Sequence, residues 1–303
     1  MNENVKTMKL RELAFLIFTK LVRYLWGTRI SFLPVIGGLI NNCFMFCMKR
    51  LRPKKPVLIN VEGNKMYVDV HAPAELLFGT YEKPVTELFK KEIKQGMTVI
   101  DIGAHIGYYT LLAARLVGSK GKVFAFEPAP DNYALLVKNI AINGYKNVIP
   151  VQKAIWNKTD RLKLVLCSYE SVAHHISVSS NVKEEIVFVD AISLDEYFKD
   201  KSTQIDFIKM DIEGAEMFAL QGMSNIIKNN KNLKIITEFC PEHLRRVGSS
   251  PEEFLLKLMR AGFKVYDIYT RKYISPSESD VKSFVKSYNG KGRLTNLFCT
   301  KDN

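Results

Sequence analysis

Residues 99–110 read V-I-D-I-G-A-H-I-G-Y-Y-T, and this run limits the possible folds more than any other part of the chain. Val99-Ile100 is apolar and β-branched, which favours a buried strand. Asp101 ends that strand, Gly103 and Gly107 bracket a tight turn, and residues 108–117 have the composition of a helix. A strand, an acid, a glycine turn and a helix together make a cradle for a nucleotide-bearing ligand. Glycine lets backbone approach the ligand, and the helix start presents free N–H groups. The spacing is Asp-x-Gly-x-x-x-Gly, so the G-x-G-x-x-G pattern of dinucleotide binding is excluded.

The next apolar run, residues 122–127, ends at Glu127-Pro128, and Glu127 follows Gly107 by 20 residues. In a doubly wound sheet an acid at that distance holds ribose hydroxyls at the carboxyl edge of the strands. The same acid also suits the start of the following helix, which Pro128, Pro130 and Asp131 mark.

Strand-like runs at 97–102, 122–127, 147–152, 205–210, 233–239, 263–269 and 294–300 alternate with helical runs at 107–117, 131–143, 214–229 and 251–261. That alternation predicts an α/β fold with a mainly parallel seven-stranded sheet and helices on both faces. Two extra strand-like runs, 161–167 and 185–190, flank a polar loop at 168–181. Upstream, the segments 57–61 and 66–70 around Gly63-Asn64 predict a hairpin, and 85–94 a helix. The expected division is a segment 1–56 and a body 57–303, with the hairpin at 57–70 and the core at 84–303.

The net charge of +13 is unevenly distributed. Residues 1–56 carry eleven Lys and Arg against two Glu, a net of +9, which leaves +4 for the remaining 247. Residues 8–26 place Lys9, Glu12, Lys20 and Arg23 on one arc of a helix that is otherwise largely apolar, as an interfacial helix does. Residues 30–48 hold no charge, but Pro34, Gly37-Gly38 and Asn41-Asn42 interrupt them. An N-terminal helical segment lying on an anionic membrane, packing on the body, or spanning a bilayer are the open readings. Five scattered cysteines without a C-x-x-C pair argue against disulfides and structural zinc, and point to a reducing compartment. The expected location is cytoplasmic, with peripheral attachment at the inner membrane surface as the option that residues 1–56 open.

A second motif, I-K-M-D-I-E-G-A-E at 208–216, places Asp211 and Glu213 on the same rim as Asp101 and Glu127. Several acids on one rim suit a cationic ligand, or a hydroxyl that must lose a proton. Alternatively, Glu213 and Glu216 complement the dipole of the next helix. Histidines 174 and 175 sit in the polar loop, and an imidazole, with its ordinary pKa near 6.5, suits a general base. Asp211, Glu213 and His243 compete for that role. No metal-ligand set stands out, so no metal is expected.

These motifs resemble the FkbM family of S-adenosyl-L-methionine (SAM) methyltransferases. The resemblance rests on D-I-G-A-H-I-G at 101–107, F-E-P at 126–128, the N-x-x-x-L-x-x-N-I-x-x-N run from Asn132, K-M-D-I-E-G-A-E at 209–216 and the acid Glu238. It covers roughly residues 57–300. His105 stands where the family commonly has Asn, a departure that leaves the glycine turn intact. The resemblance implies a Rossmann-like SAM-methyltransferase fold with SAM as cofactor. It also implies O-methyl transfer to a hydroxyl of a sugar, glycolipid or natural product. The implied cofactor residues are Asp101, Gly103, Ala104, His105, Gly107, Glu127, Pro128, Asn132, Lys153, Ala154 and Asp211. The implied catalytic candidates are Asp211, Glu213, His174 and His175. An RNA methyltransferase using the basic N-terminus, and a non-catalytic SAM-binding membrane scaffold, are the competing readings. The absence of N-P-P-Y or D-P-P-Y and the body's modest charge count against nucleic acid.

Overall fold

A computed structural model describes residues 56–68, 75–76, 81–167, 174–177, 184–200 and 202–301. The N-terminal segment and most of the loop at 168–181 lie outside the described residues. The chain divides into two compact units, Met1–Glu82 and Lys83–Asn303.

In the first unit, β1 (Val57–Val61) and β2 (Asn64–Val68) pair antiparallel around Glu62-Gly63. The second strand begins two residues earlier than its apolar pattern predicts. Asn64 already pairs with Val61, because Glu62 and Gly63 both adopt positive φ and close the turn in two residues.

The second unit is built on an eight-stranded sheet. Its strands are β3 (Thr98–Ile102), β4 (Lys122–Phe126), β5 (Val148–Val151), β10 (Phe207–Met210), β11 (Lys234–Phe239), β12 (Lys264–Asp267), β13 (Tyr273–Ile274) and β14 (Thr295–Thr300). The spatial order is β13-β12-β14-β11-β10-β3-β4-β5. The ladders from β5 to β11 are parallel, and those through β14, β12 and β13 are antiparallel. The seven expected strands are all present. The eighth, β13, is a two-residue edge strand too short to leave a periodic signal. The order reverses beside β3, and there the carboxyl ends of β3, β4 and β10 open a crevice.

Every residue of β10 is buried, as are the last four of β3 and of β4, so both faces of these strands are covered. On one face, α1 (Lys83–Glu92) and α2 (Tyr108–Val117) pack Phe89 and Tyr109 beside Phe207. On the other, Phe124 and Phe126 meet Tyr197 of α4 (Leu194–Tyr197) edge to face. The helix α3 (Pro130–Ile142) follows β4.

The predicted helix over 214–229 is two helices, α5 (Glu216–Gln221) and α6 (Ser224–Asn229). Gly222 breaks it: a Cβ there would stand 2.2 Å from the Trp156 carbonyl. The Asp195 carboxylate caps the restart by accepting from the N–H groups of Asn225 and Ile226. Besides the short α4, two helices appear that the apolar pattern did not predict, α7 (Pro241–Arg246) and α9 (Glu278–Ser287); α8 (Pro251–Arg260) lies between them.

The two extra strand-like runs form a second sheet. Its order is β6 (Ala154–Ile155), β9 (Glu185–Ile192), β7 (Asp160–Leu166), β8 (His175–Ile176). Trp156, which follows β6, stacks on Phe218 of α5 with ring centroids 3.9 Å apart and joins this sheet to the core helices.

Candidate active site

The first motif folds as its spacing dictates. β3 runs to Ile102, Gly103 and His105 take positive φ, and Gly107 enters α2 at φ 101°. Gly103 and Ala104 both donate backbone N–H bonds to the Phe126 carbonyl. The turn is thereby tied to the end of β4, where Glu127 begins.

Glu127 is 5% exposed. One carboxylate oxygen accepts from the His105 N–H at 2.8 Å and the other from the Ala129 N–H at 2.9 Å; Asn132 adds a side-chain bond. Three donors occupy three of the carboxylate's four lone-pair sites and leave one for a ligand hydroxyl. Burial pushes the Glu127 carboxyl up to about 7, and the hydrogen bonds only partly offset that rise.

One cavity joins Gly103, His105, Glu127, Pro128, Asn132, Lys153 and Ala154 to Asp211 and Glu213 from the second motif. His175, Leu164 and Ile176 from the second sheet, with His174 just before it, also line the cavity. Residues that the sequence assigns separately to donor and acceptor therefore share one space. Asp101, Ala104 and Gly107 are outside its lining. Asp101 lies beneath the turn, 3% exposed, accepting from the Thr110 hydroxyl at 2.5 Å; burial lifts its carboxyl to about 6. Gly107 is needed for its backbone, since φ +101° is a conformation that residues with a Cβ rarely adopt; the nearest atom to a Cβ there, Leu136 Cδ1 at 2.8 Å, is the mobile end of a side chain. Gly103 makes room for the second motif: a Cβ would stand 1.9 Å from the Asp211 carbonyl oxygen.

Asp211 accepts from the ammonium of Lys209 at 3.0 Å. Glu213, at φ 56°, pairs with His243 Nδ1 at 2.9 Å and lies 3.9 Å from Arg246. His243 also reaches Glu238 at 3.4 Å. Burial alone would depress His243, but acceptors from Cys240, Glu213 and Glu238 outweigh it and lift the imidazolium to about 12. Glu238 is raised well above the usual carboxylate range by burial and by neighbouring acids, and Glu216 to about 7 chiefly by burial. Glu213, Glu238 and His243 bring ligand-type atoms within 4.8 Å of one another, a grouping not foreseen from sequence spacing. The imidazolium already supplies the positive charge that this trio needs.

The two loop histidines differ. His174 Nδ1 accepts from the Cys167 N–H at 3.1 Å, so its neutral ring carries the proton on Nε2. His175 Nδ1 lies 3.9 Å from the Cys167 thiol. Lys209 had no role in the sequence reading. Its signals there are its place at the head of K-M-D-I-E-G-A-E and its charge between apolar strand neighbours.

Residues 101–265 match the family described as the methyltransferase FkbM domain. The chain belongs to that family. It is accordingly a methyltransferase, with S-adenosyl-L-methionine as its cofactor. The lining of the cavity fits that cofactor: a buried carboxylate with an acceptor site to spare at Glu127 for the ribose, apolar walls for the base, and Asp211 for a cationic end. Hexuronic acid methyltransferase AglP of Haloferax volcanii is 26% identical over 182 residues, 58% of this chain and 72% of that protein. A protein-L-isoaspartate O-methyltransferase of Methanococcoides burtonii is 38% identical over 60 residues, and the chain spans only 30% of its length. Among solved structures, an rRNA-methylase-like protein of Clostridium thermocellum has 14% identity, covers 73% of this chain and 96% of its own, and gives a TM-score of 0.45.

Proposed function

We propose that this protein moves a methyl group from SAM to a hydroxyl of a sugar, glycolipid or related natural product. One observation carries the reading: the cavity walled by Glu127 and Asp211 also has His174 and His175 in its wall. A relative named for a hexuronic acid acceptor supports the saccharide class. The cofactor supplies an already activated methyl group, so the protein's task is to align the acceptor oxygen and take its proton.

Among the four catalytic candidates the roles divide by hydrogen bonding. Asp211 is tied to Lys209, and Glu213 to His243 and Arg246, so both serve as fixed anions. His174, with its proton on Nε2, donates to the acceptor oxygen and orients it. His175 takes the hydroxyl proton on Nε2, its Nδ1–H facing the Cys167 sulfur. With SAM bound, an oxygen so aligned and deprotonated would take the methyl group in line from the sulfonium, leaving the neutral thioether of S-adenosylhomocysteine.

The test incubates the full chain and its His175→Asn variant with methyl-labelled SAM and a panel of uronic acids, neutral sugars, their lipid-linked forms and total RNA. The expected result is label in a saccharide, with kcat lowered about 10²–10⁴-fold in the variant and S-adenosylhomocysteine (SAH) affinity unchanged. Label confined to RNA, or full activity without His175, overturns the assignment. The peripheral membrane role rests on the +9 of residues 1–56. Flotation on anionic phosphatidylglycerol vesicles, lost when Lys49, Arg50, Arg52, Lys54 and Lys55 become Gln, is the expected outcome; equal flotation of both refutes it. Among the described residues no helix is long and apolar enough to cross a membrane.

A further inference from the structure

Lys209 breaks the pattern of the strand it occupies. It lies on β10, flanked by β3 and β11, where each neighbour in the strand is apolar and buried. Its side chain is 1% exposed. A buried ammonium is costly unless it is paired, and an apolar residue of similar length would fill the same space without that cost. Its ammonium lies 3.0 Å from Asp211 Oδ2 and 5.0 Å from the centre of the Tyr109 ring. Across the ladder its register partner is Asp101, which its charge also reaches.

The charges around Asp211 make that ammonium necessary. Asp211 lines the cavity, and its charge pushes up the carboxyls of Asp101, Glu216 and Glu238. Asp211 thus stands among three other acids, from β3, α5 and β11. The His243 imidazolium is engaged by Glu213 and Glu238. Lys209 is the cation paired with Asp211 itself.

We propose that Lys209 is a positioning residue for the methyl donor: it ties down Asp211 Oδ2 and so leaves Oδ1 for the cationic end of SAM. This rests on the reading that the cavity binds SAM. Gly103 completes the arrangement, because only a residue without Cβ lets the Asp211 backbone approach the first turn so closely. Lys209 touches neither donor nor acceptor, and acts through Asp211.

A double-mutant cycle on the full chain tests this, with SAH binding followed by calorimetry at pH 7. Lys209→Met is expected to weaken SAH at least tenfold, and Lys209→Arg to keep binding within about threefold of wild type. In an Asp211→Asn background, Lys209→Met should add little further loss. Equal losses in both backgrounds, or unchanged affinity in a folded Lys209→Met protein, overturn the proposal. If Lys209→Met does not fold, Lys209→Gln, uncharged but still a hydrogen-bond donor, completes the cycle: weaker SAH binding is expected with Asp211 present and no further loss with Asn. Identical losses in both backgrounds, or no loss in either, overturn it. Wild-type protein that fails to bind SAH sinks the cofactor reading itself, which separates the two failures.

Discussion

At the residue scale, the motif glycines matter for reasons their spacing does not state. The sequence reading has Gly103 making room for a ligand, but its missing Cβ makes room for the Asp211 carbonyl, 1.9 Å from where that Cβ would stand. Gly214 does the same for the His243 carbonyl at 2.3 Å. Each glycine locks one acid-bearing loop against the next, so the acids reach one rim through backbone contact rather than through the ligand. Gly144 is the natural control: its φ is +70° and nothing lies within 4 Å of its Cβ position. Gly144→Ala should therefore cost only left-handed strain, roughly 1 kcal/mol. Gly103→Ala adds a backbone collision to the same strain and should cost several kcal/mol more. Urea midpoints of the two variants measure the difference, and equal values would show that Asp211 yields freely.

At the element scale, Asp195 joins two helices that the sequence does not connect. It lies in the first turn of α4 and caps α6 through the N–H groups of Asn225 and Ile226. Asp195→Ala should lower stability by about 1 kcal/mol in urea unfolding and leave SAH affinity unchanged, because Asp195 is outside the cavity lining. A weakened SAH affinity would mean that α6 is coupled to the site. The core strands were legible because they are apolar on both faces, as Ile100, Phe124 and Ile208 are. The break between α5 and α6 was not, because its cause is the carbonyl of Trp156, far away in sequence. The helix α9 had a readable signal that was passed over: Ser277 caps Asp280, and Val281, Phe284 and Val285 repeat at helical spacing. In the site, Glu127 and Asp211 could be read from spacing. The division between His174 and His175 could not, because it depends on which atom of Cys167, the backbone N–H or the thiol, each Nδ1 meets.

At the scale of the whole molecule, burial pushes up four carboxyls in and around the rim. In the folded chain the carboxyl of Asp101 is lifted from 3.8 to about 6, and those of Glu127 and Glu216 from 4.5 to about 7; Glu238 is raised well above its usual range. An acid whose folded pKa is raised binds more protons folded than unfolded, so its contribution to stability is full below the unfolded value. That contribution fades as pH climbs through the folded value. His243, lifted from 6.5 to about 12, has the same sign, with its contribution full below 6.5 and fading above. The melting temperature should therefore fall between pH 5.5 and pH 8, by roughly 2–4 °C for each kcal/mol lost. SAH binding should run the other way, because Glu127 must be ionised to accept from ribose hydroxyls. Its affinity should drop up to tenfold per unit as pH falls below about 7. The fold and the site thus want opposite protonation of the same carboxyl, and the shift in melting temperature produced by saturating SAH should be larger at pH 8 than at pH 5.5. Differential scanning calorimetry with and without SAH at the two pH values decides it; a ligand-induced shift that is equal at both would remove Glu127 from the ribose.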